Sequence, residues 1–123
     1  MSDSFITVFQ CMKDESIAKN GSANYTIDQK RYCTEGFFSA QIQVESTGVG
    51  TVTVTYACSN DGVNFVTPVG ASALWSTFGK TDGSGSDGKD LQSFEPPVAH
   101  FLRIIVTEDD VAAVVVNLDI AVQ

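Results

Sequence analysis

Strict alternation of apolar and polar residues is the feature that most constrains how this chain can fold. It is clearest in four segments, residues 37–45, 51–58, 98–107 and 113–122. Side chains of a β-strand point alternately to opposite faces of its sheet, so a repeat of two residues predicts half-buried strands. No segment combines a helical repeat with helix caps. We therefore predict an all-β chain, an antiparallel β-sandwich or jelly-roll-like fold of about seven or eight strands.

Two antiparallel hairpins are predicted from the order of these segments. Residues 37–45 and 51–58 follow each other across a short turn, and residues 98–107 and 113–122 follow each other across an acidic turn. Strands that are close in sequence commonly pair. Weaker strands are predicted at residues 5–9, 25–27, 63–66 and 91–94, with loops at 13–22 and an ambiguous segment at 67–78.

The length and charge of the chain predict one domain with an acidic surface. The chain has 123 residues and a net charge of −8. Residues 1–31 hold four acidic and four basic residues, so residues 32–123 carry the whole negative charge. This predicts a single β-sandwich domain over 1–123, in which 1–31 form an N-terminal arm or an edge hairpin. Such a surface repels phosphate groups, so neither nucleic acid nor an anionic membrane is an expected partner.

The cysteines and the apolar stretches bear on the compartment. Cys11, Cys33 and Cys58 are odd in number and widely spaced, which is typical neither of a disulfide framework nor of a zinc site. They are interpreted as buried thiols of a protein that folds in a reducing cytoplasm. No signal-peptide pattern and no apolar stretch of about twenty residues is present, so we expect a soluble protein.

Candidate catalytic residues are few. His100 is the only histidine, and no nucleophile motif accompanies it. A Ser-His-Asp arrangement stays open, because its members can be distant in sequence. Glu108, Asp109 and Asp110 could supply the carboxylates of a glycosidase, but three acids between two strands are more typical of a solvated turn. We expect no enzymatic activity.

A glycine-rich segment raises the possibility of a cation site. Residues 79–90 read GKTDGSGSDGKD, and their DGSGSDG portion resembles a loop of oxygen ligands. Serines replace two of the acids that a calcium loop would need, and no glutamate closes the loop. We interpret 79–90 as a flexible loop without a metal or other cofactor.

Aromatic and outward-facing apolar residues are the remaining candidates for binding. Trp75 and Phe78 could form a platform on which a sugar stacks, although core packing is the more common role of such residues. Phe37, Phe101 and Ile105 fall on the outward side of their predicted strands. An apolar residue there is covered by a second layer or by another subunit, so these three predict an interface.

Two segments carry a resemblance to a known class of proteins. Residues 51–68, TVTVTYACSNDGVNFVTP, have the form of a strand, a turn at Asp61 and Gly62, and a second strand. Residues 97–106, PVAHFLRIIV, place an aromatic residue and an arginine on a late strand. Together with the aliphatic last strand, they resemble small β-sandwich proteins of tailed phages and prophages, found among head, decoration and tail components.

This resemblance implies a virion structural protein that is made in the host bacterial cytoplasm. It would form a homo-oligomer and contact other virion proteins, and Asp61 and Gly62 would have only a structural role in the turn. The same two segments also resemble discoidin-like carbohydrate-binding modules, which implies a glycan ligand as the alternative. The chain departs from those modules because it lacks their closing cysteine pair and has Phe65 where they usually have tryptophan.

Overall fold

The computed structural model describes residues 6–29, 35–45 and 48–123. These residues form eight β-strands and no helix, which confirms the predicted all-β class. The strands are β1 (Thr7–Ile17), β2 (Ser22–Asp28), β3 (Phe38–Glu45), β4 (Thr51–Ser59), β5 (Trp75–Gly79), β6 (Lys89–Phe94), β7 (Phe101–Glu108) and β8 (Val114–Val122).

The strands form two antiparallel sheets that pack as a sandwich. Sheet A has the order β1-β8-β3-β6, and sheet B has the order β2-β7-β4-β5. Each connection between consecutive strands passes from one sheet to the other, apart from the β4–β5 connection, which stays within sheet B. Eight strands that alternate between two sheets in this way form a jelly roll.

Both predicted hairpins are wrong, because their strands lie in different sheets. Strand β3 pairs with β6 and β8, whereas β4 pairs with β5 and β7. Strands β7 and β8 are separated in the same way. The alternation of each segment identifies the face that is buried and not the strand beside it. Here the apolar faces of consecutive strands meet across the core, which removes both from water.

The core lies between the two sheets and consists of the inward residues of their strands. Sheet A contributes Ala40, Ile42 and Val44 of β3 and every second residue of β8 from Val114 to Val122. Sheet B contributes alternate residues of β4 and β7. The β-branched residues that dominate this set have stiff side chains that suit a pleated surface.

The N-terminal strand differs from its prediction. Strand β1 continues to Ile17, through part of the segment predicted as a loop. Its pairing with β8 shifts register between Gln10 and Met12 and again between Met12 and Glu15. Such bulges let a strand absorb residues that break the alternation, and so the loop-like composition did not end it. The short strand predicted at 63–66 is reduced to one bridge between Cys58 and Val66.

The segment predicted as a flexible loop, 79–90, is closed by hydrogen bonds. Asp82 accepts the Gly79 N–H through Oδ2 at 2.7 Å and the Gly88 N–H through its backbone oxygen at 2.8 Å. Gly88 is buried with a φ of +76°, and a Cβ there would meet the Val44 backbone oxygen at 2.7 Å. The glycine therefore permits a close approach to β3, and Lys89 already belongs to β6.

Candidate interaction surfaces

A group of exposed apolar residues lies at one end of the outer face of sheet A. Strand pairing places Val8 beside Ala121 and Ala121 beside Ser39. Ile6 and Phe37 lie at the same end and, with Ser39 and Ala121, line a shallow depression of about 220 Å³. We call Ile6, Val8, Phe37, Ser39 and Ala121 the Phe37 patch. Its small central side chains make a flat floor between larger apolar side chains.

Phe37 combines high exposure with a fixed backbone. Its side chain is 62% exposed. Its N–H donates to the backbone oxygen of Gln123 at 3.2 Å, and its own oxygen accepts the Gln123 N–H at 3.0 Å. In the next row of the sheet, polar Asp119 and Gln41 pair with each other, and Gln41 pairs on its other side with the exposed Leu91. A rigid exposed aromatic beside a polar rim is typical of the centre of a protein–protein interface.

Phe101 and Ile105, the other two predicted interface residues, lie on the outer face of sheet B. Both are half-buried. The Phe101 ring stacks on His100 with 4.2 Å between centroids, and its centroid is 6.5 Å from that of Phe65. Phe65 comes from the β4–β5 connection, and the Arg103 guanidinium lies 3.7 Å from its ring centroid. The structure thus does not bring Phe37 together with Phe101 and Ile105, and the chain itself partly covers the latter face.

The turn at Asp61 and Gly62 brings this cover into place. The Asp61 carboxylate accepts the backbone N–H groups of Val63 and Asn64 at 2.9 and 2.8 Å. Hydrogen bonds from the Asn64 backbone and side chain, the Val63 backbone and the Ser59 hydroxyl lower the pKa of the Asp61 carboxyl. Gly62 has a φ of +75°, and a Cβ there would lie 3.0 Å from the Phe101 ring. Glycine is thus required by both the turn and the packing.

The two residues proposed as a sugar platform, Trp75 and Phe78, are buried. Their side chains are 6% and 5% exposed, and their ring centroids lie 6.0 Å apart in the core. The Trp75 indole N–H donates to Asp90 on β6 at 2.9 Å, which ties sheet B to sheet A. Neither ring offers a face on which a sugar could stack, so the carbohydrate interpretation loses the residues on which it depended.

His100 lies at the edge of a cleft of about 730 Å³ at one end of the sandwich. Its Nε2 is 3.2 Å from a carboxylate oxygen of Asp28, and both side chains are partly exposed. Among the described residues that line the cleft, none carries a hydroxyl or a thiol. The imidazole therefore has a carboxylate beside it but no nucleophile within this lining. Gln29, which also lines the cleft, is buried, and its Nε2 has no hydrogen-bond partner among the described residues.

Glu108 is an important residue that the sequence interpretation assigned to a solvated turn. It is 1% exposed, and its carboxylate accepts backbone N–H groups of Asn20, Asp110, Val111 and Ala112. Burial opposes its ionisation, but these donors outweigh burial and lower the pKa of the Glu108 carboxyl to about 2. The signal was present in the sequence, because Glu108 has the same parity as the inward residues Leu102, Ile104 and Val106.

Two of the three cysteines fall within the described residues. Cys11 and Cys58 are free thiols and are half-buried. Burial, aided by the Asp119 carboxylate, raises the pKa of the Cys11 thiol to about 12, and burial also raises the pKa of Cys58. Both thiols are thus held in the protonated, weakly nucleophilic form at neutral pH. The third cysteine, Cys33, lies outside the described residues.

The described part of the chain contains no group of three or more His, Cys, Asp or Glu side chains that could hold a metal ion. Nor does it contain a helix of the length and apolarity that crossing a membrane requires. Neither a protein-family model nor a curated protein matches this chain.

Proposed function

We propose that this chain is a non-enzymatic structural protein of a phage or prophage particle that acts through protein–protein contacts. The proposal depends on one observation above the others, the exposed Phe37 patch on sheet A. Jelly rolls occur in viral capsid proteins and in lectins, so the fold is compatible with both readings of the sequence and does not choose between them. The exposure of Phe37 and the burial of Trp75 favour assembly over glycan binding.

The Phe37 patch offers a partner a shallow apolar depression. Ser39 and Ala121 are too small to hinder close approach, and the larger Phe37 and Ile6 line the same depression at the end of the sheet. Burying exposed apolar area stabilises a complex by roughly 25 cal/mol per Å² before the costs of association. Phe37 is held by two backbone hydrogen bonds, so little backbone freedom is lost when it docks.

The test is the oligomeric state of the protein and of two matched variants. Phe37→Ser removes the aromatic residue of the patch, and Val69→Ser removes an even more exposed apolar side chain from the β4–β5 connection, outside the patch. Analytical ultracentrifugation over a concentration series should show assembly of the wild type and of Val69→Ser. For Phe37→Ser we expect dissociation constants raised by at least about tenfold, as for an interface hot spot.

Two results would count against the proposal. The first is a wild-type protein that stays monomeric at high concentration and binds no other particle protein, and the second is unchanged assembly of Phe37→Ser. The assignment to a particle has its own test, mass spectrometry of purified particles from an induced host. Detection of the chain at stoichiometric amounts would support it, and terminase, portal or tail genes beside its gene would point the same way.

A further inference from the structure

The four edge strands of the sandwich differ in how well they are protected against pairing with another strand. An edge strand exposes unpaired N–H and C=O groups, and proteins usually block it with bulges, charges, prolines or short length. The edges here are β1 and β6 of sheet A and β2 and β5 of sheet B. Three of them carry such devices, and β2 does not.

The protected edges each show a specific obstacle. Strand β1 is interrupted by two register shifts, around which Lys13 and Glu15 are exposed. Strand β5 has five residues, a register shift against β4, and Thr77 in a left-handed conformation with a φ of +52°. Strand β6 begins with Lys89 and Asp90 and is followed closely by two prolines. These features interrupt the regular ladder that an added strand would need.

Strand β2 is regular and carries almost no charge. Its seven residues, SANYTID, pair with β7 without a register shift, and Asp28 at the end is their only charged residue. Within the described residues, β2 pairs with no other strand. Thr26 and Ile27 are β-branched and Tyr25 is aromatic, so the segment strongly favours an extended conformation.

The hydrogen bonds at the two ends of β2 indicate which of its groups point away from β7. Gln29 N–H donates to the His100 oxygen at 2.8 Å, and the Gly21 oxygen accepts Glu108 N–H at 2.9 Å. Bonding residues alternate along an antiparallel ladder, so Tyr25 bonds towards β7. Asn24 and Thr26 therefore direct their backbone N–H and C=O groups to the open side.

We propose that the β2 edge pairs with the β2 edge of a second copy, antiparallel and related by a two-fold axis at Tyr25. In this register Asn24 of each copy is opposite Thr26 of the other, and both present outward backbone groups, so the ladder bonds form. Asp28 is opposite Ser22, so no like charges meet. Tyr25, 36% exposed, is opposite its own copy in a close non-hydrogen-bonded pair, where aromatic side chains contact.

This dimer rests on the proposed assembly function and adds a second, separate contact to it. Strand β2 is the edge of sheet B, whereas the Phe37 patch is on the outer face of sheet A. The two contacts use different residues, so each can be removed without the other. An edge pair is a small interface, and we expect its formation to depend on concentration.

The two-fold axis gives an unusually direct test at Tyr25. In Tyr25→Lys homodimers two ammonium groups would face each other, and in Tyr25→Glu homodimers two carboxylates would. Each variant alone should sediment as a monomer, while an equimolar mixture should recover the dimer, because opposite charges then meet. Tyr25→Phe is the matched control and should dimerise as the wild type does. All measurements are made in the Phe37→Ser background, so that the patch does not contribute.

The outcomes separate this proposal from the proposed function. A Phe37→Ser protein that is monomeric at all concentrations overturns the β2 dimer, and so does a mixture that stays monomeric while its components are folded by circular dichroism. Unchanged dimerisation of Tyr25→Lys alone also overturns it. Any of these results leaves the assembly through the Phe37 patch intact, because that assembly is measured with β2 unaltered.

Discussion

The outer faces of both sheets carry apolar residues, but these residues are more exposed on sheet A than on sheet B. On sheet A, Phe37 and Val8 are 62% and 60% exposed. On sheet B, Phe101 and Ile105 are half-buried, and the Phe101 ring is stacked on His100 and in tilted contact with Phe65. The alternating pattern of a strand does not predict this difference. The difference arises because one connection between strands folds back over the outer face of sheet B alone.

The covering connection is the one that does not cross between the sheets. Because β4 and β5 are both in sheet B, the chain between them remains on that side of the sandwich. It reverses at Gly62 and then places Phe65 over the outer face, against Arg103. An outward apolar residue therefore indicates a partner only where no other part of the chain covers it. This leaves Phe37 as the stronger interface residue.

Glu108 lies where the chain leaves sheet B for sheet A, and its replacement should have the largest effect on the stability of the fold. Strand β7 of sheet B ends at Glu108, and its carboxylate organises the turn that leads to β8 of sheet A. Glu108→Gln would set an amide NH₂ group against backbone donors, so we expect the melting temperature at neutral pH to fall by on the order of 10 °C. Asp110→Asn, the same chemical change at an exposed neighbour, is the control and should melt as the wild type does.

The same carboxylate makes stability depend on pH. The pKa of Glu108 is lowered from 4.5 to about 2, so its contribution to stability is present above about pH 4.5. It is lost as the pH falls towards 2, where the folded state also becomes protonated. Urea unfolding between pH 7 and pH 2 should show a smaller decrease for Glu108→Gln than for the wild type. If the free energy of unfolding falls equally with pH in both proteins, the Glu108 carboxylate does not stabilise the turn between β7 and β8.

Phe101 and Phe37 provide the direct test of the difference between the faces. Phe101→Ala should lower the free energy of unfolding by about 2 kcal/mol, since a half-buried ring loses part of the 3–5 kcal/mol of a buried one. Phe37→Ala, measured where the protein is monomeric, should change it by less than about 0.5 kcal/mol. Equal losses from the two substitutions would show that the chain covers the two outer faces to the same extent.

The sequence predicted which face of each strand is buried better than it predicted which strands pair. Alternation located β3, β4, β7 and β8 to within a few residues, because burial of one face repeats with the period of the strand. It could not predict that β7 pairs with β2 and β4, since pairing between distant segments depends on the packing of the whole sandwich. Proximity in the chain was therefore a misleading guide to pairing.

For the candidate site, the acidic composition of residues 108–110 led to a wrong prediction for Glu108, whereas its position in the alternation of β7 indicates burial. Glu108 was grouped with Asp109 and Asp110 because all three are acidic, although its parity within β7 is that of buried residues. The contact of Phe65 with Phe101 could not be predicted from the sequence, since the two residues are distant in the chain and meet through the turn at Asp61. The exposure of Phe37 agrees with its parity, opposite to that of buried Phe38.

Loss of the contact between Phe65 and Arg103 should have the smallest effect on stability. It tests directly whether Phe65 is held over the outer face of sheet B. A double-mutant cycle with Phe65→Ala and Arg103→Ala should yield a coupling energy of about 0.5–1 kcal/mol in urea unfolding, as for a partly exposed cation–π pair. Arg103→Lys keeps the charge but loses the flat stack, so its coupling with Phe65→Ala should be weaker. If the coupling is zero, Phe65 does not hold its place over sheet B, and the outer face with Phe101 would then be as open to a partner as the Phe37 patch.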